Sequence, residues 1–221
     1  MAKGDTQRRR DERSDVAPQL ALTHGQTLWL MGELGLRQGV SVSTFNYYIK
    51  ALRKIGIPFA KGKGQSEGRR HVKYDFEELM ELTLALLLRV YGWLPDEVAA
   101  GLRAYRNELR PIYRQAYQDS LRRLHPCARL SVVKGDQAKV EGLFLDLNIR
   151  YAAGRMINFG PPRAISAFEA MCAYANSDSP SRAYLPLNVT VLAETIVGAG
   201  REAPSIRRGR GAGHGSPTTT S

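Results

Sequence analysis

Apolar residues recur at helical spacing through the first half of the chain and switch to a period of two in the second. Leu30, Met31 and Leu34 share one face of a short helix predicted over residues 28–37, with Thr27 as its cap. Gly39 supplies the permissive backbone of a tight turn, and Val40 can plug the angle behind it. Ser41 is a good cap for a second helix over residues 42–55, whose inner face is Phe45, Tyr48, Ile49 and Leu52. Residues 76–91 are apolar nearly all round, the mark of a buried helix. Gly92 and Trp93 then lead into another, with Pro95 near its first position and Asp96 and Glu97 complementing its dipole. Val98, Leu102, Tyr105, Leu109, Ile112 and Ala116 alternate spacings of four and three, a heptad seam that Pro111 must kink or split.

Beyond His125-Pro126, a plausible hinge, the pattern changes. Leu143, Leu145, Leu147, Ile149 and Tyr151 alternate with Asp146, Asn148 and Arg150, which predicts one half-buried strand. Leu185, Leu187, Val189 and Val191 predict a later one, and residues 155–159 a third. Residues 162–175 predict a helix with Ile165, Phe168, Cys172 and Ala175 turned inward. The second half therefore reads as a small sheet with a helix on one face. Residues 1–18 and 199–221 are polar, charged or rich in Gly, Arg, Ser and Thr, and read as disordered tails.

Charge then sharpens the picture. The 221 residues carry a formal net charge of +11, which favours polyanionic partners, nucleic acid ahead of anionic membrane. Between Leu28 and Tyr74 stand nine cations (Arg37, Lys50, Arg53, Lys54, Lys61, Lys63, Arg69, Arg70 and Lys73) against Glu33 and Glu67, or +7 of that total in one compact stretch. Basic tails alone therefore do not account for the excess. The outer face of the second helix carries Ser43, Asn46, Tyr47, Lys50, Arg53 and Lys54, groups that contact base edges and phosphates. Gly62, Gly64 and Gly68 suit the tip of a hairpin wing whose returning strand is 71–74. The lysines and glycines at 61–64 lack the spacing of a phosphate-binding loop.

Met31-Gly32-Glu33-Leu34, Gly39-Val40-Ser41 and Thr44-Phe45-Asn46-Tyr47-Tyr48 together resemble the helix-turn-helix of MerR-type bacterial transcription regulators. Gly68-Arg69-Arg70-His71-Val72-Lys73-Tyr74 is similar to the wing element of that family. The buried helix, the glycine-aromatic turn and the acid-led helix follow in the family's order, so the likeness runs over residues 28–102. Asn46 stands where the family usually has arginine before the twin tyrosine. The resemblance implies a winged helix-turn-helix that puts the second helix in the major groove and the wing on the flanking backbone. It also implies a homodimer formed through a long helix at the position of the seam.

The expected fold class is a mainly α N-terminal winged helix-turn-helix domain (19–97), a helical dimerisation region (98–126) and a small α+β domain (127–198). DNA contacts are expected from Val42, Ser43, Thr44, Asn46, Tyr47, Lys50, Arg53, Lys54, Lys61, Lys63, Arg69, Arg70, His71 and Lys73, and dimer contacts from Val98, Leu102, Tyr105, Leu109 and Ile112. The partners are double-stranded DNA, a second copy, and a small-molecule effector of the C-terminal domain. No membrane span or signal-peptide core is visible, so the expected location is the cytoplasm, on the nucleoid. No cofactor or catalysis is expected: His24, His71, His125 and His214 make no triad or metal-ligand spacing. Cys127 beside His125 reads as either a structural thiol or a redox or metal sensor, and Cys172 as core. Asp146 and Glu169 could meet in a pocket. Two other classes stay open: an architectural or phage-type DNA-binding protein, and a small-molecule-binding domain with a basic anchor.

Overall fold

A computed structural model describes residues 20–59, 72–124, 142–147, 149–152, 155–175, 182–183 and 187–205, with the backbone alone for 124, 149–152, 155–159 and 182–183. Helix α1 (His24–Glu33) is capped by Thr23, four residues before the expected cap. Thr23 and Gln26 form a reciprocal capping box, which Thr27 cannot do because Leu30 stands three positions on. Thr27 instead lies buried inside the helix, its hydroxyl donating to the Thr23 carbonyl at 3.0 Å. The helix stops at Glu33 rather than at residue 37, because Gly35 (φ 71°), Gln38 (φ 47°) and Gly39 (φ 75°) take left-handed backbone. Helix α2 (Val42–Lys54) forms as its pattern predicts: Ser41 accepts from the Thr44 N–H at 3.2 Å, and Phe45, Ile49 and Leu52 are buried.

Strand β1 (Ala21–Thr23) pairs antiparallel with β2 (Lys73–Asp75), Leu22 opposite Tyr74. Among the described residues, then, β2 pairs with the strand ahead of α1 and not with an arm of its own hairpin. The expected wing tip lies outside the described residues.

Asp75 and Glu78 cap helix α3 (Phe76–Val90), in which eleven of fifteen residues are buried. Gly92 (φ 89°) turns the chain into α4 (Pro95–Ala104). The next break falls at Tyr105, not at Pro111, which sits inside the following helix α5 (Arg106–Leu124) on an exposed position. Val98, Leu102, Leu109, Ile112 and Ala116 are buried in the chain's own core, and Tyr105 packs against them half-buried. This corrects the dimer seam: its apolar side chains are already covered within one copy, so they offer no face to a second.

The run 143–151 is not one strand. It divides into β3 (Phe144–Asp146) and β4 (Ile149–Ala152), which belong to different three-stranded antiparallel sheets. Strand β5 (Arg155–Phe159) forms as expected, whereas residues 163–165 are strand β6 (Arg163–Ile165) ahead of helix α6 (Ala167–Ala175). Strands β7 (Arg182–Ala183) and β8 (Leu187–Asn188) complete the sheets, in the orders β6-β3-β8 and β5-β4-β7. Helix α6 buries Ala170 and leaves Phe168, Met171 and Tyr174 about 70% exposed, so Phe168 is not an inward residue; Cys172 is half-buried.

The strand expected through Val191 is replaced by helix α7 (Val189–Glu202), capped by Asn188, whose side chain accepts from the Val191 N–H at 3.0 Å. Val189, Ala193, Ile196, Val197 and Gly200 bury at helical spacing, and the tail expected from 199 overlaps the last four residues of this helix. Helix α7 lies along α5 and touches α1 and α3. Its apolar face joins a single core with that of the N-terminal helices, so the division at residue 127 does not separate it from them. The architecture is mainly helical with small antiparallel sheets.

A buried ion pair ties α5 to α3. Arg106 Nε and Nη2 donate to both Glu81 carboxylate oxygens at 2.6–3.1 Å. Burial pushes the Glu81 carboxyl above its ordinary range, against the opposing pull of Arg106. An acid raised in this way binds more protons folded than unfolded, so its contribution to stability is full below about pH 4 and declines as pH climbs through the folded value. The stability advantage of the wild type over Glu81→Gln, read from urea midpoints, should therefore shrink from pH 4 towards neutrality; growth of that advantage would mean that Arg106 outweighs burial. Leu102→Ala should cost roughly 2–5 kcal/mol. Its folded fraction should sediment as the wild type does, because Leu102 is covered within one copy.

Candidate nucleic-acid interface

Helix α2 contains no acidic residue, and its basic residues, Lys50, Arg53 and Lys54, follow its midpoint. The N-terminal end is exposed and rich in hydroxyls: Ser41 Oγ lies 2.9 Å from both Ser43 Oγ and Thr44 Oγ1. Val42 (56%) and Tyr47 (66%) stand out into solvent although both are apolar or aromatic. Lys50 and Lys54 are exposed further along, and Lys73 is exposed on β2, where Tyr74 faces inward. Val42, Ser43, Thr44, Tyr47, Lys50 and Lys54 thus share the uncovered side of one helix. Free N–H groups and lysines along such a face attract phosphate oxygens.

Two expected contact residues are otherwise engaged. Asn46 is half-buried, its Oδ1 2.9 Å from His24 Nε2. The other ring nitrogen, His24 Nδ1, lies 3.1 Å from the Tyr74 hydroxyl. Arg53 is half-buried too, its guanidinium 5.6 Å from the centroid of the Phe59 ring, and its charge opposes the effect of burial on the Tyr74 hydroxyl. Burial pushes the Tyr74 hydroxyl up to about 12 despite that guanidinium, so it remains protonated and can donate. The polar chain Tyr74–His24–Asn46 joins β2, the start of α1 and the first half of α2.

The far end of α2 is held by cations from other helices. Arg103 Nη1 donates to the Ile55 carbonyl at 3.2 Å and Arg106 Nη2 to the Gly56 carbonyl at 2.6 Å, where positive charge suits a helix C-terminus. Arg89 of α3 lies 3.5 Å over the ring of Tyr48, fixing the inner member of the twin tyrosine. Sequence reasoning missed His24, Arg89, Arg103 and Arg106, since each acts on α2 from a distant segment.

Lys61, Lys63, Arg69, Arg70 and His71 lie outside the described residues, as do His125, Cys127 and His214. The two carboxylates expected to share a pocket have structural partners: Asp146 pairs with Arg163 at 3.2 Å, and Glu169 caps α6 through Ser166, whose N–H and hydroxyl hold that carboxyl below its ordinary range. Among the described residues no group of three histidines, cysteines or acids could hold a metal ion, and no helix is long and apolar enough to cross a membrane.

The geometry separates anchoring from presenting cations on α2. Arg53→Ala should lower the thermal midpoint by several degrees, through loss of its contact with the Phe59 ring and the packing of its half-buried stem, about 1–2 kcal/mol. Lys50→Ala should leave it within about a degree, as expected of an exposed side chain; equal effects would contradict the distinction. No protein-family model, curated protein or solved structure matches the chain.

Proposed function

We propose that the chain is a sequence-specific DNA-binding protein, a transcription regulator of the MerR-like type, that lays α2 in the major groove of double-stranded DNA. The observation that carries this reading is the uncovered side of α2. It is free of acids, hydroxyl-bearing at its N-terminus and basic towards its end, while the opposite side is fastened at several points to the body. A helix held in that way can enter a groove about 12 Å wide without reorganising. Ser43, Thr44 and Tyr47 would meet base edges and nearby phosphates, and Lys50 and Lys54 the backbone. Lys73, with Lys61, Lys63, Arg69, Arg70 and His71, would supply a wing on the flanking phosphates. A homodimer on two half-sites would have to meet through a surface other than the Val98–Ile112 seam.

Lysine contacts to phosphate release condensed counterions, so log affinity should fall linearly with log salt, by about 0.9 per neutralised phosphate. Anisotropy titrations of a labelled duplex with the full chain should show this. Lys50→Ala and Lys54→Ala should each weaken all duplexes alike and lower the slope by about one. Affinity that is flat in salt, or a slope that neither substitution alters, would contradict the reading. Footprinting of a discrete palindrome would separate a regulator from an architectural protein, which would coat DNA cooperatively.

A further inference from the structure

The hydrogen-bond chain that reaches Asn46 has a direction. An amide oxygen can only accept, so at its 2.9 Å contact with Asn46 Oδ1 it is His24 Nε2 that carries the hydrogen. The Tyr74 side chain is fully buried, and its own hydrogen finds an acceptor in His24 Nδ1, 3.1 Å away. A neutral imidazole that accepts at Nδ1 carries its hydrogen on Nε2. That hydrogen points at Asn46 Oδ1, 2.9 Å off. The amide of Asn46 is therefore oriented by a run of donors beginning at Tyr74: its oxygen turns in towards His24 and its NH2 takes the other branch. Among the described residues nothing accepts from that NH2, and it is not a buried orphan.

We infer that Asn46 presents a donor-only tip to the groove, and that the position it faces is read as guanine, whose N7 and O6 both accept hydrogen bonds. The inference rests on the DNA-binding reading of α2 given above. An asparagine normally reads adenine with both ends of its amide, the oxygen accepting from N6 and the nitrogen donating to N7. With the oxygen held by His24, the two ends cannot face the base edge together, and the two-point adenine contact is lost. Cytosine, which offers the N4 donor in the major groove, has nothing to accept its hydrogen. His24 acts here as a positioning residue: it does not reach the DNA, but it decides which end of Asn46 does.

The test has two arms. In the free, isotope-labelled wild type at about pH 8, above the ordinary imidazole range, long-range nitrogen–proton correlations of His24 should show the hydrogen on Nε2. A hydrogen on Nδ1 overturns the orientation whether or not DNA binds. The second arm selects binding sites from randomised duplexes with the wild type, His24→Ala and Asn46→Asp. The wild type should prefer guanine over adenine at one position by roughly tenfold. His24→Ala frees the oxygen, and that preference should collapse or move to adenine; Asn46→Asp keeps the bond from His24 but offers an acceptor outward, and should move it to cytosine. A wild type that already selects adenine, unchanged in His24→Ala, overturns the proposal while leaving DNA binding intact. Failure of the wild type to select any duplex contradicts the DNA-binding reading and takes the proposal with it. Should His24→Ala not fold, the wild-type spectra and Asn46→Asp still decide.

Discussion

Helix α3 is apolar around almost its whole circumference, and a helix of that kind must be enclosed on every side before it is stable in water. The enclosure recruits parts of the chain far apart in sequence: β2 at its start, α4 and α5 after it, and α7 from near the end of the described residues. Polar groups drawn into the same core have to be paired as they enter. Glu78 is spent on the cap at Asp75, and Glu81 on Arg106, which also donates to the Gly56 carbonyl just beyond the end of α2. The packing that buries α3 thereby fixes the position of α2.

What remains uncovered follows from that arrangement. Helix α2 gives its apolar face to the core and is pinned through Tyr48, Asn46, Arg53 and Gly56, so only its hydroxyl and lysine side is left outside. Anchoring through side chains on the inner and lateral faces leaves the outer ones free, which is how a scaffold presents a recognition helix with little reorganisation on binding. Asn46 lies on the boundary between the two sets, and the polar chain through His24 gives it a defined orientation.

Much of this was legible in the sequence where the signal is local. The Ser41 cap, the inner face of α2, the all-apolar α3 and the Pro95 start depend on residues within a turn or two of one another, and all of them form as expected. Signals that depend on what lies opposite misled. The spacing from Val98 to Ala116 is equally that of a dimer seam and of helices packed on a neighbour, and the presence of α7 decides for the second. Leu187, Val189 and Val191 alternate like a strand, yet Asn188 caps a helix there, and Ala193, Ile196 and Val197 continue its buried face. Thr23 and Gln26 carried a readable capping box that the apolar pattern around Thr27 obscured. The candidate interface divides the same way: its exposed residues on α2 were readable, but the role of His24 was not, because its partners stand 22 and 50 residues away.

The central claim is that the outward side of α2 is the surface that meets DNA. Titrating an unlabelled duplex into the isotope-labelled chain and following its amide and side-chain resonances tests it directly. The account predicts that the largest shifts at low protein occupancy fall on Val42, Ser43, Thr44, Tyr47, Lys50, Lys54 and Lys73, with Ile49 and Leu52 on the buried side of the same helix much less affected. Shifts confined to the chain termini, or centred on the exposed face of α6 at Phe168 and Met171 with α2 unmoved, would contradict it.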